Sequence, residues 1–194
     1  MILILIPLAY VIGSIPVGYL LAKHFYGIDI RQHGSGNPGA TNVWRVLGRQ
    51  PGIITLALDI LKGAVPVLLC RLVVPNELGT AVYSGMAAIA GHNWILFLRG
   101  SGGKGVATSA GVFLCLMPIQ SLIAIGTFLI VFRVTRHVSS GSMAGAVTLV
   151  LMTFVIRTPI FFRLVAFIAS IMILVKHVPN MKRLAIGEEP KVNF

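Results

Sequence analysis

The stretch from Met143 to Val175 reads MAGAVTLVLMTFVIRTPIFFRLVAFIASIMILV. It is too long for one membrane crossing, for which about 20 residues suffice. It also carries Arg157, Thr158, Pro159 and Arg163 near its middle. Two arginines held against lipid at that depth are expensive. A hairpin of two short helices removes the difficulty by placing Thr158-Pro159 at a turn. The run from Val106 to Phe132 takes the same reading, with Pro118 at its turn. Three further apolar runs, Ile2 to Ala22, Ile53 to Leu72 and Leu78 to Leu98, are each of single-span length. The expected fold is an all-α integral membrane protein with seven transmembrane helices in one domain, residues 1–194.

Composition agrees. Of 194 residues, 56% are hydrophobic and 11% charged, and the mean hydropathy is +0.91. A soluble domain of this length needs a more charged surface. The net charge of +11 would point to nucleic acid in a soluble protein, but here it reads as loop cations that face anionic lipid. No nucleic-acid partner is expected. Cys70 and Cys115 lie inside apolar runs and read as packing thiols. No metal-ligand spacing occurs. The N-terminus lacks a basic leader region and reads as a first span rather than a cleaved signal.

Charge sets the orientation. With the N-terminus outside, twelve of the sixteen Lys and Arg residues fall on the inner side. They are Lys23, Arg31, Arg45, Arg49, Arg99, Lys104, Arg133, Arg136, Lys176, Lys182, Arg183 and Lys191. Arg71, Arg157 and Arg163 fall outside, and Lys62 lies within a span. The asymmetry follows the positive-inside rule. It places the C-terminus and three polar, glycine-bearing segments in the cytoplasm.

The first polar segment runs from Gly27 to Gly48, GIDIRQHGSGNPGATNVWRVLG. Its Gly34-Ser35-Gly36-Asn37-Pro38-Gly39 matches G-x-G-x-x-G but lacks the strand and helix of a dinucleotide fold. The glycines permit positive φ and close backbone approach to a ligand. Thr41 or Asn42 is expected to cap a following helix, with Arg45 on an early turn. The Ser35 hydroxyl, backbone amides and the Arg45 fork together suit a phosphate. Gly34, Gly36, Asn37, Thr41 and Asn42 are expected to line that site.

The second segment, GHNWILFLRGSGGKG, runs from Gly91 to Gly105. It fails the Walker A pattern, because Leu98 stands where Gly is needed and Gly105 where Ser or Thr is needed. A glycine loop leading into a helix at Val106 still offers amides and a positive dipole end to an anion. Ser101, Gly102, Gly103 and Gly105 are read as the cradle and Lys104 as its charge. His92 reads as a helix–helix hydrogen-bonding group, and Asn93 as support beneath the loop. Asp59 and Lys62, three apart, share a helix face and read as an inward-facing pair that supports the structure.

The third segment, KHVPNMKRLAIGEEPK, runs from Lys176 to Lys191. Pro179 interrupts the helix. His177 has the chemistry of a base or hydroxyl-positioning group. Asn180 suits an oxyanion or a substrate hydroxyl. Lys176 is expected at the substrate site. Glu188 or Glu189 is available to tie down the basic loops.

GSGNPGATNVWRVLG, GHNWILFLRGSGGKGVATSAG and KHVPNMKRL with the downstream GEE, in that order, resemble the bacterial acyl-phosphate:glycerol-3-phosphate acyltransferase family (PlsY type). The opening GSIPVGYLLAK from Gly13 to Lys23 fits as well. The resemblance implies an acyltransferase of the bacterial inner membrane, active at the cytoplasmic face as a monomer without metal or cofactor. It would carry a fatty acyl group from acyl phosphate to the 1-hydroxyl of sn-glycerol 3-phosphate. Lysophosphatidic acid and phosphate would be the products, the first step of membrane phospholipid synthesis. Carried over by motif, Ser35, Arg45, His177 and Asn180 are functional. Gly102, Gly103 and Gly105 hold the acyl phosphate, and Glu188 supports the third segment structurally.

The rival class is a transporter for a phosphorylated metabolite. That class predicts broken helices with polar groups converging at mid-membrane, whereas the polar groups here cluster in loops expected on one face.

Overall fold

The computed structural model describes residues 2–98 and 100–192. Arg99, counted above with the inner-side cations, lies outside the described residues. The described residues form ten α-helices and no strand: α1 (Ile2–Gly13), α2 (Val17–Tyr26), α3 (Ala40–Leu47), α4 (Arg49–Val73), α5 (Leu78–Asn93), α6 (Val106–Leu116), α7 (Pro118–Thr135), α8 (Val138–Val155), α9 (Ile160–Lys176) and α10 (Val178–Ala185). Two compact units result, one ending at Leu116 and one beginning at Met117.

Four helical stretches are long and apolar enough to cross a bilayer: Arg49–Val73, Leu78–Leu98, Pro118–Thr135 and Val138–Val155. Two bent pairs, at Ile4–Gly13 with Val17–Tyr26 and at Ile160–Lys176 with Val178–Ala185, raise the number to six. α6 has only 11 residues. Large apolar side chains such as Leu72, Ile130 and Val134 lie exposed, as lipid-facing residues must.

In the first unit, α1 and α2 meet at 45°. The run read from sequence as one span, Ile2 to Ala22, is thus bent within its length. Pro16 has no amide hydrogen, and its ring excludes the preceding turn. Helix α1 packs on α5 through small residues. A methyl group at Gly13 would overlap the Ala88 carbonyl, and one at Gly91 would overlap that of Tyr10. The Tyr10 hydroxyl donates to the Trp94 carbonyl at 2.7 Å. Helices α4 and α6 approach in the same way, through Gly63 against Thr108 and Gly111 against Ile60. Close backbone approach gives helices in lipid their dispersion contact.

In the second unit, α7 and α8 form a hairpin whose connection passes through Arg136 at φ 61. Gly141 and Gly145 let α8 close on Phe128 and Ala124. The helices break at Met117, before Pro118, and at residues 156–159, as the proline reading requires. Thr158 organises the second break. Its hydroxyl accepts from Gln120 Nε2 at 2.8 Å and its carbonyl from Arg163 Nε at 2.7 Å. The Arg163 guanidinium also covers the Phe154 ring at 5.0 Å. Helix α8 starts at Val138 rather than Met143, and α4 at Arg49 rather than Ile53.

Candidate active site

The first polar segment folds over a small core of its own. Ala22, Ile30 and Val43 are fully buried, with Tyr19, Ile28, Val46 and Leu47 packed against them. This core ties α2 to a 3-10 turn at Ile30–Gln32 and to α3. Asn42 then shapes the loop. Its Oδ1 accepts from the Ser35 amide at 2.8 Å, and its Nδ2 donates to the His33 carbonyl at 2.9 Å and the Ile30 carbonyl at 3.3 Å. Gly34 and Gly36 have φ of 60 and 70, where a side chain is strained. At Gly34 a methyl would also strike the Asn42 amide.

These contacts revise the expected cap. Gly39 is the N-cap of α3, with no side-chain bond. Thr41 and Asn42 lie inside the first turn, and Arg45 lies in the last turn rather than an early one. Asn37 supplies the cap-like bond instead, its Oδ1 accepting from the Gly39 amide at 2.8 Å. Ser35 and Arg45 are exposed. Arg31 is engaged elsewhere: it pairs with Asp29 at 2.6 Å and lies 4.8 Å from the Tyr19 ring. The hydrogen bond from Arg31 holds the Asp29 carboxyl at about 2.

The glycine loop before α6 lies against the last turn of α5. The Gly103 amide donates to the His92 carbonyl at 3.0 Å, satisfying one of the carbonyls that a helix end leaves over. A methyl at Gly103 would overlap the His92 ring, and one at Gly102 the carbonyls of His92 and Asn93. Gly105 has φ +81 and abuts the Asn93 amide. Ser101 is exposed and Lys104 half-buried. Asn93 thus sits beside the loop.

Further buried polar residues lie nearby. Asp59 and Lys62 form a buried pair at 2.8 Å, and His92 Nδ1 lies 3.7 Å from the same Asp59 oxygen. Lys62 Nζ also donates to the Ile15 carbonyl at 2.9 Å, beside the Pro16 break. Thr108 and Ser109, in the first turn of α6, are buried, and their hydroxyls have no hydrogen-bond partner among the described residues. Neither was singled out from sequence. The cue was two adjacent hydroxyls directly after the glycine loop.

In the second unit, His177 is 3% exposed at the bend between α9 and α10. Its Nδ1 lies 2.8 Å from the Ile173 carbonyl. A carbonyl only accepts, so Nδ1 carries the hydrogen and Nε2 the lone pair of the neutral ring. Lys176, one residue earlier, is half-buried. Asn180 Nδ2 donates to Glu189 Oε1 at 2.6 Å. Ser139 Oγ donates to the same oxygen at 2.7 Å, and Arg183 Nε to Oε2 at 2.8 Å. Burial alone would raise the Glu189 carboxyl. The hydrogen bonds from Ser139, Asn180 and Arg183, with the charge of Arg183, outweigh it and hold the group below its ordinary value. Glu188 is exposed. The supporting contacts assigned to Glu188 are made by Glu189, because the turn at Gly187 (φ +74) directs the second acid inward.

The chain matches the family described as Glycerol-3-phosphate acyltransferase over residues 3–187. Among curated relatives, a glycerol-3-phosphate acyltransferase of Trichlorobacter lovleyi is 46% identical over 188 residues, covering 94% of this chain and 93% of the relative. One of Synechococcus elongatus is 39% identical over 192 residues, covering 95% and 91%. A crystal structure of PlsY (YgiH), an integral membrane glycerol 3-phosphate acyltransferase, in the glycerol 3-phosphate form is similar at a TM-score of 0.93. It shows 35% identity, with 99% of this chain and 96% of that one covered. Its lysophosphatidic acid form gives 0.90 at 34% identity, covering 99% and 95%. Matched over nearly its whole length and built from helices with no strand among the described residues, this integral membrane protein is an enzyme of the glycerol-3-phosphate acyltransferase family.

Proposed function

We propose that the chain transfers a fatty acyl group from acyl phosphate to the 1-hydroxyl of sn-glycerol 3-phosphate. The observation that carries this reading is the family match across residues 3–187, which takes in the first two polar segments and all but the end of the third. The solved relatives, described in a glycerol 3-phosphate form and a lysophosphatidic acid form, match an acceptor and a product of this reaction. In the proposed topology α1 with α2 forms one broken span, and α4, α5, α6, α7, α8 and α9 complete seven. The N-terminus is outside the bacterial inner membrane, and the polar segments are cytoplasmic. The inner-side cations support that orientation. The chain acts as a monomer.

Acyl phosphate is a mixed anhydride and already activated, so no covalent enzyme intermediate is needed. The hydroxyl oxygen of the acceptor attacks the acyl carbon. The bond from that carbon to the phosphate oxygen breaks, and phosphate leaves with the electron pair. The enzyme must align the two reactants and offset the charge that develops. Lys104 and the amides of Gly102 and Gly105 hold the donor phosphate, in a loop whose Ser101 and Gly103 amides are turned to backbone carbonyls, with Asn93 beneath. Arg45, Ser35 and the loop shaped by Gly34, Gly36, Asn37, Thr41 and Asn42 hold the acceptor phosphate. Lys176 adds positive charge.

The acceptor proton goes to His177 Nε2. Its assignment as the basic nitrogen follows from the Nδ1 contact with Ile173. A donor phosphate oxygen is the competing base. The Asn180 amide group is turned to Glu189, so its Oδ1 lies on the other side of the amide. An acceptor atom there suits a substrate hydroxyl better than an oxyanion. The test is purified protein in detergent supplied with acyl phosphate and labelled glycerol 3-phosphate. Acylated product is expected. Flux in sealed vesicles without acylation would instead make the protein a transporter.

A further inference from the structure

We propose that Ser139 is a positioning residue for the reaction: through Glu189 it fixes which end of the Asn180 amide group faces the substrate. The inference rests on the reading above that Asn180 meets a substrate hydroxyl.

An amide side chain has two ends of nearly equal size, one that donates and one that accepts. Shape alone does not choose between them; the neighbour does. Glu189 Oε1 accepts from Asn180 Nδ2 at 2.6 Å, and an ionised carboxylate has no hydrogen to give. The NH2 end is therefore turned to Glu189 and the Oδ1 end away from it. The choice holds only as well as Glu189 itself is held.

Three donors hold that carboxylate, and they differ in origin. Asn180 and Arg183 both belong to α10. With Glu189 they close a cluster within residues 180–189, and such a closure moves with α10. Ser139 belongs to α8. Its Oγ donates to the same Oε1 at 2.7 Å and so joins the cluster to a second helix. Ser139 is 4% exposed, which keeps water from competing for the bond.

A helix serine or threonine has an easier use for its hydroxyl, the carbonyl four residues earlier. Ser121, Thr135 and Ser142 take that course, reaching Met117, Val131 and Val138 at 2.7, 2.8 and 2.8 Å. Ser139 instead reaches an acid 50 positions away in sequence. A second tie lies one turn earlier, where the Val192 amide donates to the Arg136 carbonyl at 3.0 Å. The segment after α10 is thus strapped to the start of α8 at two points. Those points register Glu189, and with it Asn180, against α8.

The test is a double-mutant cycle on kcat per folded enzyme in detergent, with folding followed by gel filtration and thermal midpoint. Ser139→Ala is expected to lower kcat by about tenfold, the equivalent of the one hydrogen bond to a charged group that it removes. In an Asn180→Ala background the same change should lower kcat no further, because the group it positions is gone. Ser139→Thr keeps the hydroxyl and should recover most of the lost turnover. Val192→Pro removes the amide of the second tie. It should lower kcat by less than Ser139→Ala does, with the same dependence on Asn180, and it carries the test should Ser139→Ala not fold.

A merely structural role would lower the active fraction to the same extent with and without Asn180. Equal losses of kcat in the two backgrounds therefore overturn the proposal. Parental kcat in folded Ser139→Ala, with Asn180→Ala impaired, also overturns it and leaves the reading of Asn180 intact. If Asn180→Ala itself turns over like the parent, that reading fails, and the positioning role falls with it.

Discussion

The glycine loop before α6 and the C-terminal bend around Asn180 are built by opposite means. The loop is shaped by missing side chains: Gly102 and Gly103 lie against His92 and Asn93 where a methyl group would overlap them. The bend is shaped by one side chain, Glu189, which gathers Ser139, Asn180 and Arg183. Backbone held against backbone tolerates no added atom. A carboxylate hub tolerates changes in size but not in charge. The first suits a site that must bring amides close to a phosphate. The second suits a site that must hold one amide group in a single orientation.

The contrast can be broken in graded steps. The largest effect is expected at the bend. His177→Ala should lower turnover by about a hundredfold or more in folded enzyme, the range for loss of a general base. Near-normal turnover would assign the proton to the donor phosphate instead. Next, Arg45→Ala removes a charged contact of about 1.5 kcal/mol or more, so the KM for glycerol 3-phosphate should rise about tenfold. An unchanged dependence on that substrate would remove Arg45 from the acceptor site.

Glu189→Ala leaves three donors without their shared acceptor. A loss of about 2 kcal/mol is expected, at the low end for buried charged hydrogen bonds because Arg183 is partly exposed. Thermal midpoints in detergent would read it. The hub should also respond to acid. The folded carboxyl lies below its ordinary value of 4.5, so its contribution is complete above that pH. It disappears as pH falls through the lower folded value. The stability gap between the parent and Glu189→Gln should therefore hold at neutral pH and close below about 4.5. A gap that stayed constant down to pH 3 would exclude this linkage. The smallest effect is at the neighbour. Glu188→Ala should change stability by less than about 0.5 kcal/mol, as for an ordinary surface residue.

Some of this architecture is legible in the residues and some is not. Pro118 and the Arg157-Thr158-Pro159 cluster announce their breaks, because proline and buried charge both forbid a continued apolar helix. Pro16 announces less, since the apolar run continues past it and one kinked span satisfies the same pattern. The pairing of Asp59 with Lys62 follows from a three-residue spacing. That His92 joins them depends on a helix crossing, which no local pattern encodes. Asn42 reads as a cap because it stands near a helix start, yet its amide faces back to Ser35, His33 and Ile30. Glu188 and Glu189 are adjacent and chemically alike, so only the turn at Gly187 decides which one is buried.

Helix α6, at 11 residues, reaches about 16 Å end to end, roughly half the hydrocarbon thickness of a bilayer. In the proposed seven-span topology, lipid thins around so short an element, or the loop at its amino end lies below the headgroups. Either adjustment shortens the path from an acyl tail dissolved in the leaflet to the amides around Lys104. A greasy reactant could then present its head for reaction while its tail never leaves oil.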